Sequence, residues 1–416
     1  MTKWNWLNGL RCMAGIGATM LVSGVAVADD AAEAAANQVF KQTSYNLMAE
    51  VGCTPKCGDN GDAGCRSDAC NGGDGGNLLG LCCNQDEFKF FEGVDVGGWA
   101  QVGYSSAPTA FNDGNQDKNF LLNQGWIYLD KAAESECGEW GWGYHADFVY
   151  GADAVNTQSF GNNPGQFDLD SGFQHGDRAA WAIPQLYAEV TNGDWTVKGG
   201  HFYTLHGYEV VQATGNFFFT RAYTMNYAEP FTHTGVLLTH ALSDDTEVYA
   251  GWTAGWDTGF DQRNGGSNFM GGFSTSLTDN ASLTWIVSAG DFGALGDAGY
   301  ASSTVVDVQL TDKLNYVLQS DILDVQGFET LGINQYLIYQ IDDCVGAGLR
   351  AEWWKADGAS VNAITAGLNI KPHANVTIRP EYRYDWSPAG NTNVGIGNGT
   401  IDQSHGTFAV DFVVTF

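Results

Sequence analysis

The chain has 416 residues, with 48 acidic and 18 basic side chains and a formal net charge of −30, and it carries 55 Gly, 14 Trp, 17 Tyr and 23 Phe. Such an acidic chain disfavours nucleic acid as a partner, because that binding rests on basic contacts to phosphate. The mean hydropathy is −0.19, and after the N-terminus polar residues interrupt every apolar run short of about 18 residues, which excludes a helical membrane protein but not a barrel, whose strands average a lipid face with a lumen face.

In chain order, Lys3 and Arg11 flank a Trp-containing stretch, and Met13 to Ala28 runs without a charge to Ala26-Val27-Ala28, just before Asp29-Asp30. This reads as a secretory signal peptide over 1–28. Its loss removes Lys3 and Arg11 and none of the acids, so the mature charge becomes −32. Residues 29–93 form a separate small periplasmic region. It opens with "AAEAAANQVFKQTSYNLMAEV" (31–51), whose propensity and apolar spacing predict one helix, and continues into a loop segment rich in Cys, Gly and Asp. Cys53, Cys57, Cys65, Cys70, Cys82 and Cys83 cluster there, while Cys137 and Cys344 stand apart at short turns. In an oxidising compartment these eight are disulfide candidates; the six clustered ones alone allow about 15 pairings. Their spacing matches no zinc module, and "GDNGDAG" (58–64) lacks the distal Glu of a calcium loop, so no metal and no cofactor is expected.

From 94 to 416 the chain reads as a series of short strands. Their expected centres are Gln101, Ile127, His145, Gln185, Lys198, Leu237, Gly251, Gly272, Trp285, Val306, Val317, Leu337, Gly348, Gly367, Glu381 and Phe412. Connections alternate between short ones, such as 191–194, 242–245, 277–280, 310–313 and 371–375, and longer ones, such as 154–179, 206–231, 257–267 and 388–405. A barrel with short periplasmic turns and longer outer loops has this pattern. Within strands the faces differ. In "VTIRPEYRYDW" (376–386), Val376, Ile378, Tyr382, Tyr384 and Trp386 share one face, and Arg379, Glu381, Arg383 and Asp385 share the other. "VGAGLRAEWW" (345–354) sets Leu349 and Trp353 against Arg350 and Glu352 in the same way. One continuous apolar face on about sixteen strands fits a closed transmembrane antiparallel up-and-down barrel, all-β, with the charged face turned inward. Closure also pairs every backbone polar group, as hydrocarbon requires.

The last strand, "FAVDFVVTF", puts Phe408, Phe412 and Phe416 on one face and ends in an aromatic residue. Phe412 and Phe416 thus look like the terminal-strand signal read by the outer-membrane assembly machinery. With "GGWAQVGY" (97–104), "AIPQLYAEVTNGDWTVKGGHFYTLHGYE" (182–209) and "FFFTRAYTMNYAEPFTHTGVLLTHALSDDTEVYAGW" (217–252), this end resembles the OmpL-like β-barrel porins of bacterial outer membranes. The resemblance spans about 97–416 and implies fold and location; it leaves solute choice and the role of the Cys-rich region open.

The segment His206–Thr234 is long and aromatic for a solvent loop, so it is expected to fold inward as a constriction. Glu209, Arg221 and Glu229 on it would face Arg350, Arg379 and Arg383 across the gap, with Glu352, Glu381 and Asp385 beside them, and a transverse field would select solutes. His201 and His206 read as lumen or loop polar groups. The expected function is passive diffusion of ions and small hydrophilic solutes, without catalysis. Alternatives are a saccharide-specific channel, using aromatic side chains along the lumen, and a structural or adhesive barrel. Outer-membrane lipid is the expected surrounding, and a homotrimer the expected assembly.

Overall fold

The computed structural model describes residues 93–416 apart from 108–110, 112–117, 136–139, 176–177, 262–264, 297, 357–358, 389–391, 394–399 and 402–403. The signal peptide expected over 1–28, the helix expected over 31–51, the cysteine cluster at 53–83 and Cys137 lie outside the described residues.

Sixteen antiparallel staves close into a barrel. They are β1 (Asp95–Ser105), β2 (Phe120–Lys131), β3 (Gly141–Gly151), β4 (in two pieces, Ala180–Ala182 and Leu186–Asn192), β5 (Trp195–Tyr203), β6 (Thr232–Ser243), β7 (Thr246–Thr253) and β8 (Ser267–Thr278). There follow β9 (Ala281–Asp291), β10 (Gly299–Thr311), β11 (Leu314–Val325), β12 (Phe328–Asp342), β13 (Val345–Ala356), β14 (Ala359–His373), β15 (Val376–Trp386) and β16 (Ser404–Thr415). Each stave pairs with the next in chain order, and β16 pairs back onto β1, with Val102 opposite Phe412. The seam is fastened at the chain end, where Gly98 N donates to Phe416 O at 3.0 Å and Phe416 N donates to Gly98 O at 2.9 Å.

Fifteen of the sixteen expected centres fall inside a stave; Gln185 falls in the break of β4. Pro184 precedes it and has no N–H for the ladder. The Gln185 carbonyl still accepts from Asp147 N at 2.9 Å, so both pieces of β4 stay on β3. At one end of the barrel, 193–194, 244–245, 279–280, 312–313, 343–344 and 374–375 are two-residue turns. At the other end lie 106–119, 152–179, 204–231, 254–266, 292–298 and 387–403. The alternation lapses there at 326–327 and 357–358, which are as short as the turns opposite.

On β15 the outward Tyr382 is 54 % exposed and the inward Arg383 1 %. Exposed large apolar groups on the staves, among them Ile127, Phe148, Val236, Phe269, Leu337 and Phe412, occupy outward positions, where lipid tails would meet them. The interior is not uniform. Near the short-turn end, inward groups such as Asp130, Glu189, Lys198, Glu247, Asp307 and Lys371 are only partly buried. At mid-height and beyond, inward groups are buried nearly completely, because segment 204–231 occupies the space.

Candidate functional site

Segment 204–231 leaves the end of β5, enters the barrel and returns to β6. It contains one short α-helix, α1 (Tyr223–Tyr227), and one 3-10 turn (Ala213–Gly215). A segment with so few internal backbone bonds must satisfy its peptide groups elsewhere. Here charged side chains of the wall do so. On β13, Arg350 Nη1 donates to Thr220 O at 2.7 Å and to Glu209 Oε1 at 2.5 Å. On the same stave Glu352 accepts from Tyr223 N at 2.9 Å and Thr224 N at 2.8 Å. On β15, Arg379 Nη1 donates to Ala213 O and Asn216 O, both at 2.7 Å. Glu381 accepts from Phe219 N at 2.8 Å and Thr220 N at 3.1 Å, and also from the Thr220 hydroxyl. Arg383 Nη1 donates to Arg221 O at 2.7 Å. These bonds recognise the main chain of the segment, largely independently of its side chains.

Within the segment, Arg221 acts as an internal staple. Its guanidinium donates to the carbonyls of Val210, Val211, Phe218 and Phe219 at 2.9–3.2 Å. Glu209 accepts from Ala222 N at 2.8 Å as well as from Arg350. Hydrogen bonds to buried charged groups contribute about 1.5–3 kcal/mol each, so this set is strong enough to hold a 28-residue excursion in one place.

Shape adds to charge. The wall lacks side chains where segment rings press against it. A Cβ on Gly348 would stand 2.3 Å from Phe217 Cε1, and one on Gly103 would stand 2.4 Å from Phe219 Cζ. Phe218 packs with Val317 and Tyr336 instead. The opposite wall is more apolar: Phe202, Leu237, Tyr249, Met270 and Ile286 form one buried cluster with Tyr187 and Leu205.

The nine charged groups expected at the constriction all lie at this level, and each is at most 7 % exposed. They differ from expectation in one respect: acids and bases meet rather than oppose each other across a gap. Arg350 pairs with Glu209, Arg379 with Asp411, and Arg383 with Asp385 at 2.8 Å. The reason is desolvation. Buried charges need partners within bonding distance, and an inward segment with free peptide groups provides them. Glu229 sits on the returning limb and bonds Gln319 of β11; burial, then the nearby Asp321 carboxylate, pushes its pKa well above the usual range. Of the histidines, His206 bonds Ser288 Oγ at 2.7 Å inside the barrel. His201 bonds Thr234 and is covered by Phe167 at 5.3 Å. Cys344, in the 343–344 turn, is disulfide-bonded.

Several residues here were not anticipated. Asp411 and Gln124 lie on inward faces of β16 and β2 and hold Arg379 and the carbonyl of Val211. Face alternation alone could have found both. Nothing local marks Gly103 and Gly348, because only the folded position of the phenylalanines gives them a role.

The sequence profile of the family described as "Putative beta-barrel porin-2, OmpL-like" matches residues 93–416. No curated protein sequence matches the chain. Among solved structures, an anion-selective porin from Comamonas acidovorans superposes with TM-score 0.54 at 12 % identity, covering 78 % of this chain and 99 % of that one. OprB of Pseudomonas putida gives 0.53 at 11 % identity, covering 78 % and 94 %. The trimer form of OmpT, an outer membrane protein of Vibrio cholerae, gives 0.50 at 14 % identity, covering 78 % and 99 %. At these identities the likeness concerns fold.

Proposed function

Since the chain belongs to the OmpL-like β-barrel porin-2 family, it is a porin of the outer membrane, and we propose that ions and small hydrophilic solutes diffuse through it past the 204–231 segment without any chemical step. The observation that carries this reading is the inward segment itself, fastened to the wall by Arg350, Arg379, Arg383, Glu352 and Glu381. A barrel of sixteen staves is wide enough for water; a fixed inward segment then sets the size limit. The partly buried groups of the short-turn half, Asp130, Glu189, Glu247 and Asp307 against Lys198 and Lys371, line an acidic vestibule that would favour cations. The segment's own rings fit a general channel better than a saccharide-specific one, because Phe217, Phe218 and Phe219 are committed to wall notches and neighbours.

The same reading puts the short-turn end in the periplasm. Cleavage after Ala28 would then leave residues 29–93 on that side, where β1 begins and Cys344 lies. Assembly as a homotrimer fits the apolar outer wall and the trimeric form of a structural neighbour. Reconstitution of the purified protein in planar bilayers tests the function. An ohmic current under applied voltage is expected; a silent membrane at protein levels that give confirmed insertion would leave only a structural or adhesive role.

A further inference from the structure

The returning limb of the segment meets the wall at a point that its arginines do not reach. Gln319 on β11 has one side-chain nitrogen, and it donates to two carboxylates at once: Glu229 Oε1 at 2.5 Å and Asp321 Oδ2 at 2.6 Å. Two acceptors on one nitrogen are close enough for a single ion to touch both. Glu229 is 6 % exposed and Asp321 1 %, so water does not screen them. The bases of this layer are used elsewhere: Arg350 on Glu209, Arg379 on Asp411, Arg383 on Asp385, and Arg221 on backbone carbonyls. The charged groups acting on Glu229 are Asp321 of β11, Glu209 of the segment and Glu352 of β13, all acids.

A second observation comes from the neighbouring stave. Asn334 on β12 stands directly opposite Gln319 and opposite Glu352 in register. It is fully buried, and neither its carboxamide oxygen nor its nitrogen has a protein partner. Buried polar atoms are nearly always paired, so an unpaired carboxamide next to the Gln319 that bonds both carboxylates points to a ligand that is not part of the protein. All the donors are oxygen, and a hard cation takes carboxylates together with amide and hydroxyl oxygens.

We propose that this point binds one hard divalent cation, Ca2+ or Mg2+, through Glu229 of the segment and Asp321 of the wall, with the Asn334 carboxamide oxygen as a neutral ligand, and that the ion fastens the returning limb to β11–β12. Gln319 positions the two carboxylates. The ion replaces the base that this limb lacks, so it does for residues near 229 what Arg350 and Arg383 do for residues near 220. Its effect on conduction rests on the porin reading, but its binding does not.

The test uses the full-length protein in detergent, freed of metal by chelation, with Ca2+ as the probe. Ca2+ should raise the unfolding temperature of the wild type, and calorimetric titration should count one more bound Ca2+ per chain than in either Glu229→Gln or Asp321→Asn. Both changes are isosteric, and heat-modifiable migration confirms that each variant is folded. A variant with 205–231 replaced by a short Gly-Ser linker should lose the same ion. An unfolding temperature indifferent to Ca2+ in the wild type overturns the proposal. So does an equal count in wild type and variants, or a response to pH alone, which would mean that the carboxylates share a proton instead. A protein that binds Ca2+ but does not conduct would defeat the porin reading only, and a conducting protein without the Ca2+ difference would defeat the site only.

Discussion

At the scale of single residues, Glu381 shows how the wall charges act. Its carboxylate accepts from two consecutive backbone N–H groups and one hydroxyl of the segment. Glu381→Ala would leave those donors unpaired and the positive charges nearby uncompensated, at a cost of about 3–5 kcal/mol. The barrel wall itself should survive, because the backbone ladder of β15 is untouched. The expected result is a folded, heat-modifiable protein with larger and noisier conductance steps than the wild type in single-channel recording. Gly348→Ala should act on the same segment by steric means, since the new methyl would overlap the Phe217 ring; a unit conductance unchanged in this variant would show that Phe217 does not help fix the pore. Much of this was legible in the sequence. The alternation in "VTIRPEYRYDW" identified Arg379, Glu381, Arg383 and Asp385 as inward groups, which the burial pattern of β15 matches. The partners were not legible, because a strand pattern gives the face of a charge and not what stands opposite it.

At the scale of elements, the segment is fixed at its far end by a loop. Asp257, in the 254–266 connection, accepts from Phe231 N at 2.8 Å and Thr232 N at 3.0 Å. Burial pushes its carboxyl up from 3.8 to about 6 despite these bonds. An acid with a raised pKa in the closed arrangement takes up a proton on closing, so closing is favoured as pH falls through about 6 towards 3.8, and this contribution is lost as pH rises from 3.8 through about 6. Hydrogen exchange at the Phe231 and Thr232 amides should therefore be slower at pH 5 than at pH 8, after correction for intrinsic exchange, and Asp257→Asn should lose this dependence. Equal protection at both pH values in the wild type would remove Asp257 as the fastening group. The closing strand is the second element with a clear test. Deleting 408–416 removes most of β16 and every β16 residue that pairs with β1, leaving two open edges that hydrocarbon does not tolerate. No heat-modifiable protein should reach the outer membrane; its normal appearance there would contradict the closed barrel. Strand positions were readable because a two-residue period with turn chemistry survives in every stave. The interruption of β4 was written in Pro184, but the strand list placed a centre next to it. The inward course of 204–231 was expected from length and aromatic content, whereas its contacts with staves on several sides depend on the closed wall.

At the scale of the whole molecule, charge and topology point the same way. An excess of acid over the entire chain, with an acidic vestibule at the short-turn end, gives a negative potential that concentrates cations. Screening over about 10 Å at 0.1 M salt makes this preference clear in dilute KCl and weaker in concentrated KCl, as read from the reversal potential across a gradient. Anion preference in dilute salt would contradict it. The central claim is that the barrel is a porin whose lumen is governed by segment 204–231. Single-channel conductance in planar bilayers, compared between the wild type and a variant in which 205–231 is replaced by a short Gly-Ser linker, tests it most directly. The account predicts small ohmic steps for the wild type and steps several-fold larger for the variant, with both proteins heat-modifiable. Equal steps in the two proteins, or silence in both after confirmed insertion, would contradict it.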